Sequence, residues 1–296
     1  MLAVYKRELR AYMNNVYGWL FMAIFLLFTG YMMFQNNLYD GAPEFELTLS
    51  ASQYALLLLI PILCMRSMAE DRHHKPDMFY LSLPMKTSSL VLGKYFAMLT
   101  VYAIPCVILC VYPLVLGAFG PLNYLVAYLS ILLYLILGAA LIAVCQFLSS
   151  LTENLVIAAV LGVVAVAALL FSPFLSYIIP MTAQASFWGM IVLACLATGI
   201  AFLAARNLSV TAITGAASIV PMCVVYILMR PKVGIIPADT FPGLIPSLLQ
   251  FISPFAHFAT FCQFGTFSVQ SLILLLSYPE RFVFLTVQSA DKKRWD

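Results

Sequence analysis

The chain has 296 residues, of which 64% are hydrophobic and 9% charged, with a formal net charge of +3 and a mean hydropathy of +1.00. Soluble chains carry about 25% charged residues, so the ionic groups here are too few to cover a water-exposed surface. No extended basic tail or basic-aromatic platform is present, which argues against a nucleic-acid partner.

Residues 1–15 predict an amphipathic interfacial helix. Leu2, Tyr5, Leu9, Tyr12 and Val16 recur at helical spacing, and Lys6, Arg7, Arg10 and Asn14 occupy the other side. Such a helix lies along the inner leaflet with its bases among the headgroups. The alternative is a basic flank that orients the first span. Neither resembles a cleavable signal peptide, which needs a short apolar core before small residues.

A hydrocarbon core of about 30 Å takes roughly 20 apolar residues per helical span. Eight stretches qualify, near 16–34, 49–65, 95–116, 124–148, 155–171, 186–205, 208–229 and 269–287. Barrel strands, which alternate polar and apolar residues, are not expected from such long unbroken apolar runs. The expected fold is therefore an all-α polytopic membrane protein of about eight transmembrane helices. Span one ends at Gln35-Asn36-Asn37, and span two contains Pro61, which can kink it. The Gly117-to-Pro121 turn makes spans three and four an antiparallel hairpin. Segment 230–268 is the longest extramembrane loop, apolar and rich in proline, with short helices lying on the membrane or dipping into it. The organisation is thus a helix at 1–15, a membrane domain at 16–287 and a tail at 288–296.

Charge placement orients the chain. With both termini in the cytoplasm, inner segments carry Lys6, Arg7, Arg10, Arg66, Arg72, Lys75, Lys86, Lys94, Arg206, Lys292, Lys293 and Arg294, against Arg230 and Lys232 outside. Twelve inner bases against two outer ones is the positive-inside pattern. Asp40, Glu44, Glu46 and Asp239 then lie outside. Cys64, Cys106, Cys110, Cys145, Cys195 and Cys223 fall in or at the ends of spans and read as small hydrophobes. Cys262 lies outside them, and no disulfide framework is implied.

The densest polar segment runs from Arg66 through Glu70, Asp71, Arg72, His73, His74 and Lys75 to Asp77, followed by Met78, Phe79, Leu81 and Pro84. Asp77 can cap a short helix that Pro84 ends. Such a cytoplasmic helix between spans two and three suits docking, with ions for orientation and apolar side chains for a groove. A solvated loop whose bases only set topology is an equal reading. Adjacent His73 and His74 do not share a helix face, so no metal site is expected. Glu280 and Arg281 sit within span eight, either as an intramembrane polar contact or as an anchored inner end whose arginine snorkels. Thr152 and Glu153 read as the start of the helix that follows, the hydroxyl accepting an amide hydrogen bond and the carboxylate facing the positive end. No G-x-x-x-x-G-K-[ST] loop, H-E-x-x-H helix or G-x-S-x-G elbow occurs, so no catalytic residue is assigned.

Several stretches, in this order, carry a family resemblance: VYKRELRAYM at Val4–Met13, CMRSMAEDRHHKPDMFYLSLPMK at 64–86, VLGKY at 91–95, SSLTEN at Ser149–Asn154, ISPFAHFATF at Ile252–Phe261 and FLTVQSADKKRW at Phe284–Trp295. The chain resembles the permease subunits of type-2 ABC exporters, most of all the gliding-motility and nitrous-oxide-reductase-maturation group. The resemblance implies a multi-pass permease of the bacterial cytoplasmic membrane, paired with a second permease, identical or related. It implies separate cytoplasmic ATPase subunits that bind ATP and magnesium, with no cofactor held by this chain itself. It places the ATPase contact at Glu70–Pro84, joined to span two by Arg66, with Lys94 where span three begins. The chain departs from the family pattern at Lys75-Pro76, at Met78-Phe79-Tyr80 and at Pro279-Glu280-Arg281, and its spans six and seven are additional to a six-span plan. A channel, an ion-coupled secondary transporter and a mechanotransmitting scaffold of an ATPase complex are the alternative functions.

Overall fold

The structure, a computed structural model, describes residues 1–73, 87–118, 120–152, 154–178, 249–265 and 268–295. The regular structure among them is helical. That follows from the composition: a backbone surrounded by hydrocarbon must satisfy its own N–H and C=O groups, and a helix does so within one segment.

The helices are α1 (Leu2–Asn14), α2 (Val16–Met33), α3 (Phe45–His73), α4 (Thr87–Leu109), α5 (Tyr112–Gly117), α6 (Tyr124–Leu151), α7 (Leu155–Ile178), α8 (Pro254–Phe264) and α9 (Val269–Trp295). Five segments of the described residues are long and apolar enough to cross a membrane: Val16–Tyr39, Phe45–Ala69, Thr87–Gly117, Tyr124–Leu151 and Leu155–Leu175. They coincide with expected spans one to five. Expected spans six and seven lie outside the described residues. Helix α9 covers the eighth but is not among the five apolar segments; Pro279, Glu280 and Arg281 lower the hydropathy of its middle.

The chain divides into two units, Met1–Leu170 with Pro254–Asp296, and Phe171–Ser253. In the second, the described residues are the end of α7 and a helical turn at 249–252, tied by the Ser172 hydroxyl, which donates to the Leu249 carbonyl at 3.3 Å.

In the first unit α6 is central, packed by α3, α4, α8 and α9. Tyr95 and Tyr102 on α4 donate to the carbonyls of Ala139 and Tyr134 on α6, at 3.2 and 2.9 Å. The register runs in opposite senses, so α4 and α6 are the expected antiparallel pair. Tyr134 in turn donates to the Ser52 carbonyl of α3 at 3.2 Å. Around these phenols an aromatic core forms. Phe25 of α2 meets the Tyr102 ring edge-on at 5.7 Å, and Phe258 of α8 lies 5.6 Å from the Tyr134 ring. Gly138 makes the α4–α6 approach possible, since a β-carbon there would lie 2.2 Å from the Tyr102 ring.

The boundaries differ from the sequence reading in instructive ways. Span one does not stop at Gln35-Asn36-Asn37; it continues as a π-helical segment, Phe34–Tyr39. Asn37 is buried, and its amide donates to the carbonyls of Ala42 at 2.7 Å and Glu44 at 3.0 Å while its oxygen accepts from Thr48. Its polarity closes the turn into α3 instead of meeting water. Span two is longer than 49–65, since the intrahelical ladder of α3 runs on through Arg66 to His73 regardless of side-chain charge. Span three starts earlier, at Thr87, and breaks after Leu109 before resuming with Pro113 in the first turn of α5. Helix α9 is unbroken through Pro279 and reaches Trp295, into the expected tail.

Two further segments change character. Thr152 does not cap α7: its hydroxyl is buried without a partner, and Asn154 accepts from the Val156 amide at 2.9 Å instead. The described end of the expected outer loop forms α8, whose Phe255, Phe258, Phe261 and Cys262 enter the common core. At 11 residues, α8 spans about 16 Å, half a bilayer crossing.

Candidate coupling interface

Two clusters of polar residues mark two ends of the first unit. One end carries Asn37, Glu44, Glu46, Asn123 and Gln263, with a cavity between the last four. The other carries Arg66, Ser67, Lys94, Gln146, Ser149, Ser150 and Ser289, and from this end α3 leads into the charged connector.

Helix α3 reaches the connector as one continuous helix. Arg66, Glu70, Asp71, Arg72 and His73 all lie on its final turns. Asp77, Met78, Phe79, Leu81 and Pro84 fall outside the described residues, as does Glu153. What the structure adds is how α3 is held just before it leaves the bundle.

Lys94 is 2% exposed and donates its ammonium to the Ser67 carbonyl. An unpaired ammonium in an apolar interior is costly, so this bond fixes where the first turns of α4 meet α3. Ser149 of α6 makes a second tie. Its hydroxyl accepts from the amides of Met68 at 3.3 Å and Ala69 at 3.2 Å, and donates to the Met65 carbonyl at 3.4 Å. Gln146, one turn earlier on α6, donates to the Val91 carbonyl of α4 at 3.0 Å. Ser150 and Ser289 hydroxyls, 3.3 Å apart, bring in α9. Three helices are thus bonded pairwise at one level, and a fourth is attached. Where no water competes, such bonds set position sharply.

Helix α1 braces the same end. Val4 is buried against Gly93 of α4, where a β-carbon would come within 3.0 Å of the valine side chain. Tyr5 and Thr100 hydroxyls lie 3.1 Å apart, and Tyr12 donates to the Leu63 carbonyl at 3.2 Å. Lys6, Arg7 and Arg10 are exposed, with Arg7 paired to Glu8. The amphipathic pattern therefore corresponds to one flank packed on α4 and a basic flank turned outward. Arg66 stacks its guanidinium over the Tyr17 ring of α2, 4.7 Å from the centroid.

Glu280 and Arg281 are both exposed on α9, and no ion pair links them, whereas Arg7 on α1 pairs with Glu8. His257 on α8 contacts the Ser271 hydroxyl of α9 at 3.2 Å, a tie across the α8–α9 hairpin.

Sequence reasoning picked out Arg66 and Lys94 but passed over Ser67, Gln146 and the separate role of Ser149. One signal was present: Gln146 interrupts an otherwise apolar run, and a polar residue deep in a span marks a contact with another helix.

Residues 45–192, half of the chain, match the family model described as ABC-2 family transporter protein. The match begins at the first residue of α3 and takes in α4 to α7, including Arg66, Lys94, Gln146 and Ser149. No curated protein matches the chain.

Proposed function

We propose, from the premise that the chain belongs to the ABC-2 transporter family, that it is the membrane pathway of an exporter driven by a separate cytoplasmic ATPase. As a family member with several apolar spanning helices, it is a multi-pass membrane protein and a permease component of an ABC transporter. The finer reading concerns how the ATPase acts on it. The observation that carries it is the continuity of α3 from the bundle into the charged segment, with its last membrane-level turns bonded to α4 and α6 by Lys94 and Ser149. A force applied to Glu70–Pro84 enters α3 and reaches α4 and α6 through these bonds. ATP and magnesium belong to the partner in this reading, and this chain contributes motion without bond-making chemistry.

The remaining features follow from the same reading. The connector and both termini face the cytoplasm of a bacterial cell, in keeping with the twelve bases on that side. Eight spans, a second permease, identical or related, and likeness to the gliding-motility and nitrous-oxide-reductase-maturation group complete it.

The test is copurification at native expression, joined to an ATPase assay. An ABC ATPase should come down with the wild-type chain. Glu70→Lys with Arg72→Glu, or Phe79→Ala, should release it or uncouple hydrolysis from transport. If no ATPase copurifies and these variants transport normally, the reading fails.

A further inference from the structure

Helix α9 carries two ions that the coupling interface does not use. It runs parallel to α6: Leu133 of α6 shares a small cavity with Leu272 and Leu275, the Phe147 and Phe282 rings lie 5.9 Å apart, and Ser150 meets Ser289. Glu280 and Arg281 fall between the first and last of these contacts. Glu280 precedes Ser289 by nine residues, about 13 Å along the helix. Both ions therefore lie level with the apolar body of α6, and both are exposed. Neither makes a hydrogen bond or ion pair with another described residue. Tyr278, one turn earlier, is within electrostatic reach of Arg281 but carries no opposite charge to cancel it. Ions at this depth are costly to leave against hydrocarbon, and they mark a contact or a polar route.

We infer that this part of α9 is the contact with a second copy of the same chain, sealed by four charges in which Glu280 of each copy bonds Arg281 of the other. Leu275 and Thr286 are buried and mark the face of α9 turned to the bundle. At about 100° per residue, the opposite face carries Ile273, Ser277, Glu280, Phe284 and Val287. Their spacing is four, three, four and three, the repeat of two helices packed side by side. Ile273 and Phe284 are 61% and 59% exposed. Ser277 is small, and its hydroxyl is already spent on the Leu274 carbonyl at 2.8 Å, so it lets a second helix approach closely.

Copies inserted by the same rule share one orientation. A two-fold axis between them then stands along the membrane normal, and equal residue numbers meet at equal depth. In such a seam Glu280 packs against both Glu280 and Arg281 of the second copy. The two carboxylates are flanked by the two guanidiniums, and the four charges sum to zero. Acyl chains alone would cover Ile273 and Phe284 and leave both ions bare. An identical chain supplies the opposite charges at the right depth by symmetry.

The inference rests on the proposed pairing with a second permease and specifies which permease and which face. The test uses the full chain, freed of native cysteines, in native membranes, with two differently tagged copies expressed together. On mild oxidation Phe284→Cys should give a disulfide-linked dimer containing both tags. Leu285→Cys, also exposed but off the stripe, should give about tenfold less. Arg281→Gln should cut the Phe284→Cys dimer about tenfold, because two carboxylates then face each other unrelieved. Glu280→Arg joined to Arg281→Glu should restore it, since the swap preserves the pairing in both copies. The two cysteine variants leave the ions in place and decide the matter if the charge variants fail to insert. A Phe284→Cys chain that stays monomeric while the tagged copies copurify overturns this face and leaves the pairing standing. Tagged copies that do not copurify overturn the assignment to a second copy; capture of the ATPase, measured apart, still decides the transport role. A swapped variant that crosslinks no better than Arg281→Gln overturns the charge cluster.

Discussion

The buried ammonium of Lys94 donates to the main-chain carbonyl of Ser67, so the beginning of α4 and the end of α3 share one fixed point across 27 residues of sequence. A buried cation held by a backbone oxygen serves position more than stability, because its desolvation offsets much of what the bond contributes. Lys94→Met refills the space while removing the bond to Ser67, so it should cost less stability than truncation to alanine. The same variant should weaken ATPase stimulation by transport substrate. Lys94→Ala should lower stability by about 2–3 kcal/mol through the cavity it opens. Thermal melts and ATPase assays on the same preparations separate the two effects.

Gln146 poses the opposite case. Its Nε2 amide donates to the Val91 carbonyl, while its Oε1 is buried without a partner. Gln146→Met removes one bond together with one unsatisfied acceptor and should be close to neutral, within about 1 kcal/mol. Gln146→Glu keeps the shape but buries a carboxylate, and should cost several kcal/mol, on the order of 3 or more. Equal melting temperatures for the two variants would contradict the burial of this site.

Gly138 allows Tyr102 to lie flat on α6. Gly138→Ala should destabilise the bundle by about 1–3 kcal/mol through overpacking. Tyr102→Phe should not rescue it, because the carbon atoms that would collide remain. Tyr102→Leu should recover part of the loss. Melting curves of the double variants read this directly.

The docking of α1 on α4 is tested by Gly93→Leu, which places bulk where Val4 sits. Helix α1 should then detach more often, and trypsin should cut after Lys6, Arg7 and Arg10 about tenfold faster. An unchanged cleavage rate would mean that α1 is held mainly elsewhere.

Sidedness has its own measurement. In a background without native cysteines, Asp40→Cys should react with an impermeant reagent from outside the cell. Asp71→Cys and Ala290→Cys should react after permeabilisation only. If positions 71 and 290 label from opposite sides, the proposed arrangement of connector and tail is overturned.

The helical membrane character of the chain was legible in its sequence, because the bilayer imposes it on any sufficiently long apolar run: Tyr124–Leu151 could hardly be read otherwise. The charged run from Arg66 to Asp77 stands out among apolar neighbours in the sequence; of it, Arg66–His73 continues α3. Where helices stop was less so. Gln35–Asn37 and Arg66–His73 look like ends by polarity, yet backbone bonding continues through both.

What the sequence determined by itself was thus local: which segments are helical, and which residues carry charge. Tertiary structure decided what the polar residues do. Asn37 closes a turn, Ser149 takes the backbone of α3, and Lys94 finds Ser67 because three helices converge there. The physical reason is that period and hydropathy are properties of one segment. A buried hydrogen bond between distant segments exists only once packing has brought its two partners within reach.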